Sequence, residues 1–242
     1  MSAKENKIIT VVQLYPNEMN IYGDRGNVLT LLRRLEWHGY TPRLAYHHPG
    51  KPFPKEADLI VGGGGQDSGQ DKVQSDLLTI GDTLHQLADD GTPMLMICGL
   101  YQLFGRFFET QEGKEIKGIG IFDAETYGKN VRLIGNIVIN TPYGEVVGYE
   151  NHSGHTYLGP KTQPFGTVIK GAGNNSEDRT EGAVYRSVVG SYLHGSLLPK
   201  NPAFADALIE QATIKKFGDF EGTVIPDELA LKAHAIAKKR PR

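Results

Sequence analysis

The sequence has a single cysteine, little charge imbalance and no long hydrophobic run. Of its 242 residues, 26 are Lys or Arg and 28 are Asp or Glu, so the formal net charge is −2. This balance argues against a nucleic-acid partner, which needs a basic surface. No run approaches the roughly 20 apolar residues of a membrane span. One cysteine permits no intramolecular disulfide, and residues 1–16 show no signal-peptide pattern. We therefore expect a cytoplasmic protein.

Short apolar runs alternate with helical patterns in the first hundred residues. A β-branched run followed by Pro16 predicts the first strand, and apolar residues at helical spacing that stop at Gly39 predict the first helix. This alternation favours right-handed βαβ units, hence a flavodoxin-like, mostly parallel sheet with helices on both faces. The predicted strands are 7–15, 41–48, 57–65 and 93–97, and the predicted helices are 26–39, 75–91 and 99–108.

The middle of the chain has a different character. Residues 131–171 are rich in Gly, Pro and aromatic residues and contain short β-like pieces, which suits hairpins added to the parallel sheet. Further strands are predicted within 183–195, and helices at 202–218 and 227–240. Because no repeat or linker interrupts the pattern, we expect one domain over residues 1–242, with the basic residues 235–242 as a frayed tail.

The only cysteine lies where a buried strand is expected to turn into a helix. Cys98 follows the apolar run 93–97 and precedes Gly99. This turn exposes a nucleophile above an α/β sheet, and the dipole of the helix that follows stabilises a thiolate. A free cysteine also serves as a small buried hydrophobe. Gly99 favours the nucleophile, because a residue without a side chain lets a substrate approach the thiol.

A thiol nucleophile needs N–H donors for the developing negative charge and a base. The glycine run 62–65 follows the third strand, so it opens at the same edge of the sheet as Cys98. It lacks the Lys-Ser or Lys-Thr of a phosphate-binding loop. Among eight histidines, His194 is the favoured base because it ends a strand-like run beside Gly195. His152 and His155 have no further ligands at metal-binding spacing, so we predict no metal.

Three separate segments form a recognisable set: ICGLYQLFG at 97–105, GIGIFDAET at 118–126 and GSYLHGSLLPKNP at 190–202. In sequence and in order they resemble class I glutamine amidotransferases of the cobyric acid synthase branch. Within the branch, segments 14–39, 62–67 and 149–159 resemble the glutaminase subunits of lipid II isoglutaminyl synthases. The resemblance covers nearly the whole chain and implies the same fold.

This resemblance implies a glutaminase that works with a partner. L-Glutamine would be hydrolysed to glutamate and ammonia through a cysteine thioester, without a cofactor in this chain. A Mur-ligase-like synthetase subunit, holding ATP and Mg²⁺, would use the ammonia to convert the D-glutamate of the lipid II stem peptide to D-isoglutamine. The lipid-linked precursor would bring the complex to the inner face of the membrane.

The resemblance also assigns roles to individual residues. It implies a nucleophile, a general base and acid, two oxyanion donors and two substrate-binding residues. In that order these are Cys98, His194, the backbone N–H groups of Gly64 and Gly99, and the side chains of Arg132 and Gln102.

Three positions depart from the family pattern. Met96 and Leu100 stand where glycine is usual, and we expect their bulk to narrow the substrate pocket. Ser196 stands where a glutamate normally orients the imidazole. The missing carboxylate is expected from the synthetase partner, with an internal Asp67 or Glu150 as the alternative.

Other functions remain open on the sequence. The same glutaminase would serve a cobyric-acid-type acceptor. A flavodoxin-like binding domain with a structural cysteine, or a stand-alone cysteine hydrolase, would also have this pattern of strands and helices.

Overall fold

Two sheets, one mainly parallel and one built mainly from hairpins, organise this computed structural model. It describes residues 7–65 and 67–241, without the side chains of residues 67, 68 and 71. The strands of the first sheet are β1 (Ile8–Leu14), β2 (Thr41–His47), β3 (Leu59–Gly62), β4 (Met94–Ile97), β11 (Ala183–Tyr185) and β12 (Val188–Ser191). Their order in the sheet is β11-β12-β4-β3-β1-β2, and only β11 runs antiparallel to its neighbour.

The central strands of the first sheet are buried on both faces. Every residue of β3, β4 and β12 is buried. A strand covered by helices on both faces needs such a continuous apolar run. The predicted mostly parallel α/β architecture is confirmed. The helices are α1 (Arg25–Trp37), α2 (Asp67–Thr79), α3 (Gly81–Asp89), α4 (Gly99–Phe104), α5 (Pro202–Phe217) and α6 (Glu228–Lys239), with a 3-10 turn at Leu198–Lys200.

The hairpins form a sheet of their own instead of extending the parallel one. Its strands are β5 (Phe107–Glu109), β6 (Glu115–Lys117), β7 (Ala124–Thr141), β8 (Gly144–Leu158), β9 (Gly166–Lys170) and β10 (Thr180–Glu181). Their order is β10-β9-β7-β5-β6, and β8 pairs with β7. The two sheets meet at a reciprocal backbone contact, where Tyr149 N donates to His194 O at 3.3 Å and His194 N donates to Tyr149 O at 2.7 Å.

Two predicted helices have different bounds. The helix expected over 75–91 is two helices, α2 and α3, with Ile80 between them. The helix expected over 99–108 ends at Phe104, since Arg106 N donates to Ala124 O at 2.8 Å and the chain enters β5. Tertiary pairing overrides helical spacing there.

The carboxyl end is more ordered than the expected tail over 235–242. Helix α6 continues to Lys239, and Lys238 forms an ion pair with Glu145 at the start of β8. Asn136 Nδ2 donates to Pro241 O at 2.5 Å. Contacts with β7 and β8 therefore hold this segment. Within the described residues, no helix has the length and apolar character needed to cross a membrane.

A buried arginine connects α1 to the carboxyl-terminal helices. The Arg34 side chain is only 4% exposed, and it donates to both oxygens of Asp206 on α5 at 2.6 Å. It also donates to Asp227, which precedes α6, at 2.6 and 2.9 Å. Such bidentate, charge-assisted pairs fix the relative positions of the helices.

We predict that Arg34→Ala lowers the free energy of unfolding by about 3 kcal/mol, because it leaves two partly buried carboxylates without their cation. Arg33→Ala is the matched control on the same helix, since the Arg33 side chain is 63% exposed and pairs with Glu36. The control is expected to change stability by about 0.5 kcal/mol or less. Urea denaturation measures both values, and equal losses in the two variants would contradict this account of Arg34.

Candidate active site

The single cysteine lies in a strained turn between β4 and α4. Cys98 has φ 50° and ψ −103°, a conformation that non-glycine residues rarely adopt. Its N–H donates to Ser191 O at 2.8 Å, which ties the turn to the end of β12. The predicted strand-turn-helix placement of Cys98 is confirmed. Strained backbone of this kind is typical of functional sites.

Glycines are required around the thiol. A Cβ atom on Gly99 would lie 2.7 Å from Met19 Cε and 3.1 Å from Gly65 N, and one on Gly64 would lie 3.1 Å from Cys98 Cβ. Side chains at these positions would therefore collide with the turn or its neighbours. The glycine run and the cysteine turn pack directly together, as their common edge of the sheet predicts.

A cavity of 390 Å³ opens over Cys98. This volume lies within the range typical of small-molecule sites. Its walls come from the loop after β1, the glycine run, helix α4 and the hairpin β7–β8. The residues that line it include Tyr22, Gly65, Cys98, Gln102, Arg132 and His152.

His194 lies beside the cysteine turn and is 1% exposed. A Cβ on Gly64 would lie 2.9 Å from His194 Cε1 and 3.1 Å from Cys98 Cβ, so this glycine packs against both residues. The backbone contact with Tyr149 fixes His194, and the Tyr22 ring packs on the imidazole with a centroid separation of 4.4 Å. The structure thus brings together Cys98, His194, Gly64 and Gly99 as expected from the sequence.

The electrostatics of His194 favour its charged form. Burial lowers the pKa of His194, but the charge of a Cys98 thiolate and the contact with Asp24 outweigh it and raise this pKa to about 10. The imidazolium form of His194 is thereby stabilised at neutral pH. The pair is suited to nucleophilic attack followed by proton donation.

Sequence reasoning missed Asp24, a buried carboxylate next to His194. Asp24 is 2% exposed, and its Oδ1 lies 3.7 Å from His194 Nδ1. Its Oδ2 accepts the N–H of Gly64 at 2.7 Å. The sequence did contain a signal for Asp24. It follows the first strand, and the loop after that strand opens at the same edge of the sheet as Cys98.

Gly64 differs from the expectation for an oxyanion donor. Its N–H is bonded to Asp24, because a buried carboxylate requires donors. Gly99 is the first residue of α4. The first four N–H groups of a helix have no acceptor within that helix, and the Gly99 N–H is one of them.

Glu150, one of the two internal candidates for the third carboxylate, is engaged by backbone N–H groups away from His194. Glu150 accepts the N–H groups of Ala172 at 2.8 Å and Gly173 at 2.9 Å. The side chain of Asp67 lies outside the described residues. Ser196 donates its hydroxyl to Gly23 O at 2.9 Å and so holds the loop that precedes Asp24.

Arg132 is at the cavity wall, within the irregularity between Gly128 and Leu133 in the pairing of β7 with β8. Its Nε donates to Asn151 Oδ1 at 2.6 Å and its Nη2 donates to the Tyr22 hydroxyl at 3.2 Å. Bulges next to active sites commonly redirect a side chain in this way. The guanidinium is therefore held at the cavity and exposed.

Gln102 lies deeper, on α4, and is 6% exposed. Its Nε2 donates to the Tyr192 hydroxyl at 3.1 Å, and its Oε1 accepts from Gln70. The amide is thus fixed by two neighbours while the residue lines the cavity.

Met96 and Leu100 do not line this cavity, so the expected narrowing was wrong. Both are fully buried and pack against Gly62, where a Cβ would lie 2.3 Å from Leu100 Cδ1 and 2.8 Å from Met96 Sδ. Because Gly62 has no side chain, Met96 and Leu100 fill the space next to it, in the core beneath the site.

The two histidines of the hairpin are bonded to backbone carbonyls. His152 Nδ1 donates to Gly154 O at 2.7 Å, and burial lowers the pKa of His152 to about 3, so the ring is neutral. His155 Nε2 lies 3.3 Å from Val131 O. In the part of the chain that the structure describes, no three His, Cys, Asp or Glu side chains are grouped as metal ligands.

Comparison with solved structures shows which fold this is. A glutamine amidotransferase aligns with a TM-score of 0.59 at 14% identity, covering 83% of this chain and 98% of its own. Another, from Thermotoga maritima, aligns with a TM-score of 0.52 at 16% identity, covering 95% of this chain and 93% of its own. Both are similar in fold.

Sequence comparison is more specific. Subunit GatD of the lipid II isoglutaminyl synthase (glutamine-hydrolyzing) of Staphylococcus aureus is 36% identical over 94% of each chain. The Streptococcus pneumoniae subunit of the same name is 36% identical over 87% of this chain and 82% of its own. A cobyric acid synthase of Limosilactobacillus reuteri is 31% identical over 66% of this chain and 32% of its own.

The family model for the CobB/CobQ-like glutamine amidotransferase domain matches residues 10–202. The match includes the cysteine turn, the glycine run and His194, and it agrees with the motifs found in the sequence. This chain belongs to the CobB/CobQ-like glutamine amidotransferase family.

Proposed function

We propose that this chain is the glutaminase subunit of a lipid II isoglutaminyl synthase. It hydrolyses L-glutamine to glutamate and ammonia and delivers the ammonia to an ATP-dependent synthetase subunit. The observation that carries the chemistry is the contact of His194 with Cys98, whose thiol lines the cavity. The S. aureus relative supports the biological assignment, because the match covers 94% of both chains.

The first half of the reaction forms a thioester. The Cys98 thiolate attacks the side-chain carbonyl carbon of glutamine, and the carbonyl oxygen becomes an oxyanion. When the tetrahedral intermediate collapses, the C–N bond breaks and the His194 imidazolium protonates the leaving nitrogen, which departs as ammonia. His194 is then neutral and a γ-glutamyl thioester remains on Cys98.

The second half of the reaction regenerates the enzyme. Neutral His194 takes a proton from water, and the hydroxide attacks the thioester carbonyl. The C–S bond breaks, glutamate leaves, and the thiolate–imidazolium pair is restored. No cofactor in this chain takes part in either half.

The oxyanion is stabilised by backbone N–H donors. We assign this role to Gly99, which follows the nucleophile directly. Gly64 joins it once its bond to Asp24, present here at 2.7 Å, opens.

Arg132 binds the α-carboxylate of glutamine, and Gln102 orients the substrate above Cys98. A planar guanidinium is suited to a bidentate carboxylate contact, and Arg132 is already held at the cavity by Asn151 and Tyr22. The Gln102 amide is fixed by Tyr192 on the wall nearer the thiol.

The partner in this proposal is a Mur-ligase-like synthetase that holds ATP and Mg²⁺. It activates the α-carboxylate of the D-glutamate in the lipid II stem peptide, and ammonia converts it to D-isoglutamine. Residues 1–242 act as one amidotransferase domain of a cytoplasmic complex, which reaches the inner face of the membrane through its lipid-linked substrate. A cobyric-acid-type acceptor is the alternative, since a cobyric acid synthase matches two thirds of this chain.

We predict that Cys98→Ser lowers glutamate release by several orders of magnitude, because a hydroxyl has no accessible anionic form at this position. Glutamate release is measured by a coupled glutamate dehydrogenase assay, and circular dichroism checks the fold. Near-normal turnover in a folded serine variant would exclude the cysteine mechanism.

Arg132→Lys is expected to raise the KM for glutamine by about tenfold or more, because lysine cannot form the bidentate contact. Alkylation of Cys98 by iodoacetamide should keep its rate, since the thiol and His194 are untouched. Arg106→Lys is the matched control, because Arg106 is 54% exposed and pairs with Asp123 and Glu125 away from the cavity. Equal glutamine kinetics in both variants would remove Arg132 from the substrate site.

The acceptor is tested with this chain purified together with its synthetase partner. With L-glutamine, ATP, Mg²⁺ and lipid II, we expect one amide on the stem peptide for each glutamate released, measured by mass spectrometry. Lipid II that already carries D-isoglutamine is the control and should not be amidated. Glutamate release without amidation of lipid II would refute this acceptor, and amidation of a cobyric-acid-type acceptor instead would establish the alternative.

A further inference from the structure

We propose that Asp24 is the positioning residue for His194, supplying from the start of α1 the carboxylate that the segment after His194 lacks. This inference rests on the proposed glutaminase function. Asp24 acts through the imidazole and does not contact the reacting atoms.

Asp24 and His194 are both buried, and within residues 7–65 and 67–241 polar atoms on their side chains lack hydrogen-bond partners. Asp24 is 2% exposed and His194 is 1% exposed. Among the described residues, neither Asp24 Oδ1 nor His194 Nδ1 has a hydrogen-bond partner, although they lie 3.7 Å apart. Buried polar atoms without partners are costly. A movement of about 1 Å brings the two atoms to the distance of a charge-assisted hydrogen bond.

The orientation of the Asp24 side chain is the second argument. Asp24 occupies the N-cap position of α1, where an aspartate normally accepts an N–H of the first helical turn. Here the side chain makes no such bond, and its Oδ2 accepts Gly64 N–H instead. The carboxylate is therefore directed into the site between the glycine run and His194, at the expense of capping its own helix.

Ser196 provides the third argument. Its hydroxyl donates to Gly23 O, and a Cβ on Gly26 would lie only 2.1 Å from Ser196 Oγ. Residue 196 therefore packs against the first turn of α1 and anchors the loop that carries Asp24. Ser196 stands where the family pattern has the orienting glutamate, and here it holds the loop that carries Asp24 instead.

Several other ionisable groups surround His194. Tyr22 from the loop after β1 packs on the ring, and Cys98 and His152 contribute to its electrostatic surroundings. Glu181 is buried nearby, but its Oε1 accepts Tyr192 N–H at 2.6 Å. Asp24 is the carboxylate within ion-pair distance of the imidazole in the described structure.

This arrangement selects the reactive form of His194. A carboxylate beside Nδ1 favours the tautomer with the proton on that nitrogen, which leaves Nε2 for the thiol. Loss of the corresponding group in a hydrolase triad costs about 10⁴-fold in kcat because the wrong tautomer is populated.

The test compares Asp24→Asn with Asp76→Asn in the full chain, alone and with the synthetase partner. In Asp24→Asn the carboxamide oxygen can still accept Gly64 N–H, but the amide nitrogen cannot accept the His194 proton. Asp76 is the matched control, because it accepts from His47 Nε2 at 2.8 Å and Tyr15 at 2.7 Å outside the cavity wall. We expect kcat to fall by about 10³–10⁴-fold in Asp24→Asn and by less than about threefold in Asp76→Asn.

The pH profile separates positioning from a structural effect. Asp24 helps to raise the pKa of His194 to about 10, so its loss lowers that pKa. The alkaline limit of activity, where the imidazolium loses its proton, should move to lower pH in Asp24→Asn and stay in place in Asp76→Asn. The KM for glutamine should change by less than about threefold in both.

Two results would overturn the inference while leaving the glutaminase function intact. One is an active wild-type chain in which Asp24→Asn and Asp76→Asn lose kcat equally. The other is a kcat loss in Asp24→Asn with an unchanged alkaline limit. If Asp24→Asn does not fold, ¹⁵N NMR of the wild-type histidines decides, since His194 must carry its proton on Nδ1 when neutral. A wild-type complex without any glutamate release would refute the proposed function itself.

Discussion

The pairing of β4 with β12 is the constraint on which the site depends. The two strands run parallel, with Ile97 opposite Ser191, and Cys98 N–H continues the pattern by donating to Ser191 O at 2.8 Å. The nucleophile is therefore one residue beyond the end of β4, and His194 is three residues beyond the end of β12. Both strands are buried throughout, so the register cannot slip without exposing apolar side chains. Core packing thus fixes the separation of the two reacting groups.

The loop between β1 and α1 completes the arrangement from the opposite side. Tyr22 packs on His194 and accepts from Arg132, and Asp24 lies next to both His194 and Gly64. One short loop therefore contacts the base, the glycine run and the residue that we assign to the substrate carboxylate. Ser196 holds this loop through Gly23. The glutaminase site is consequently made from four segments that are distant in sequence, and each of them comes from the end of a strand.

Sequence reasoning succeeded where the signal was local. An apolar run followed by Cys98 and Gly99 predicts the turn, because strand burial, strain and close approach all act within a few residues. It failed where pairing across the molecule decided the outcome. The hairpins form their own sheet, and α4 is shortened because Arg106 pairs with Ala124. Asp24 escaped notice because its contact with His194 joins two segments that are distant in sequence. The missing carboxylate was sought in the synthetase partner, at Asp67 and at Glu150 instead.

The central claim is that Cys98 is the nucleophile that attacks glutamine, in a site that recognises L-glutamine. An electrophilic analogue of L-glutamine with a diazoketone in place of the carboxamide tests it most directly. Intact-mass and peptide mass spectrometry after incubation should show a single adduct on Cys98, slowed by L-glutamine and unaffected by D-glutamine. An adduct on another residue, or labelling that L-glutamine does not slow, would contradict this account of the site.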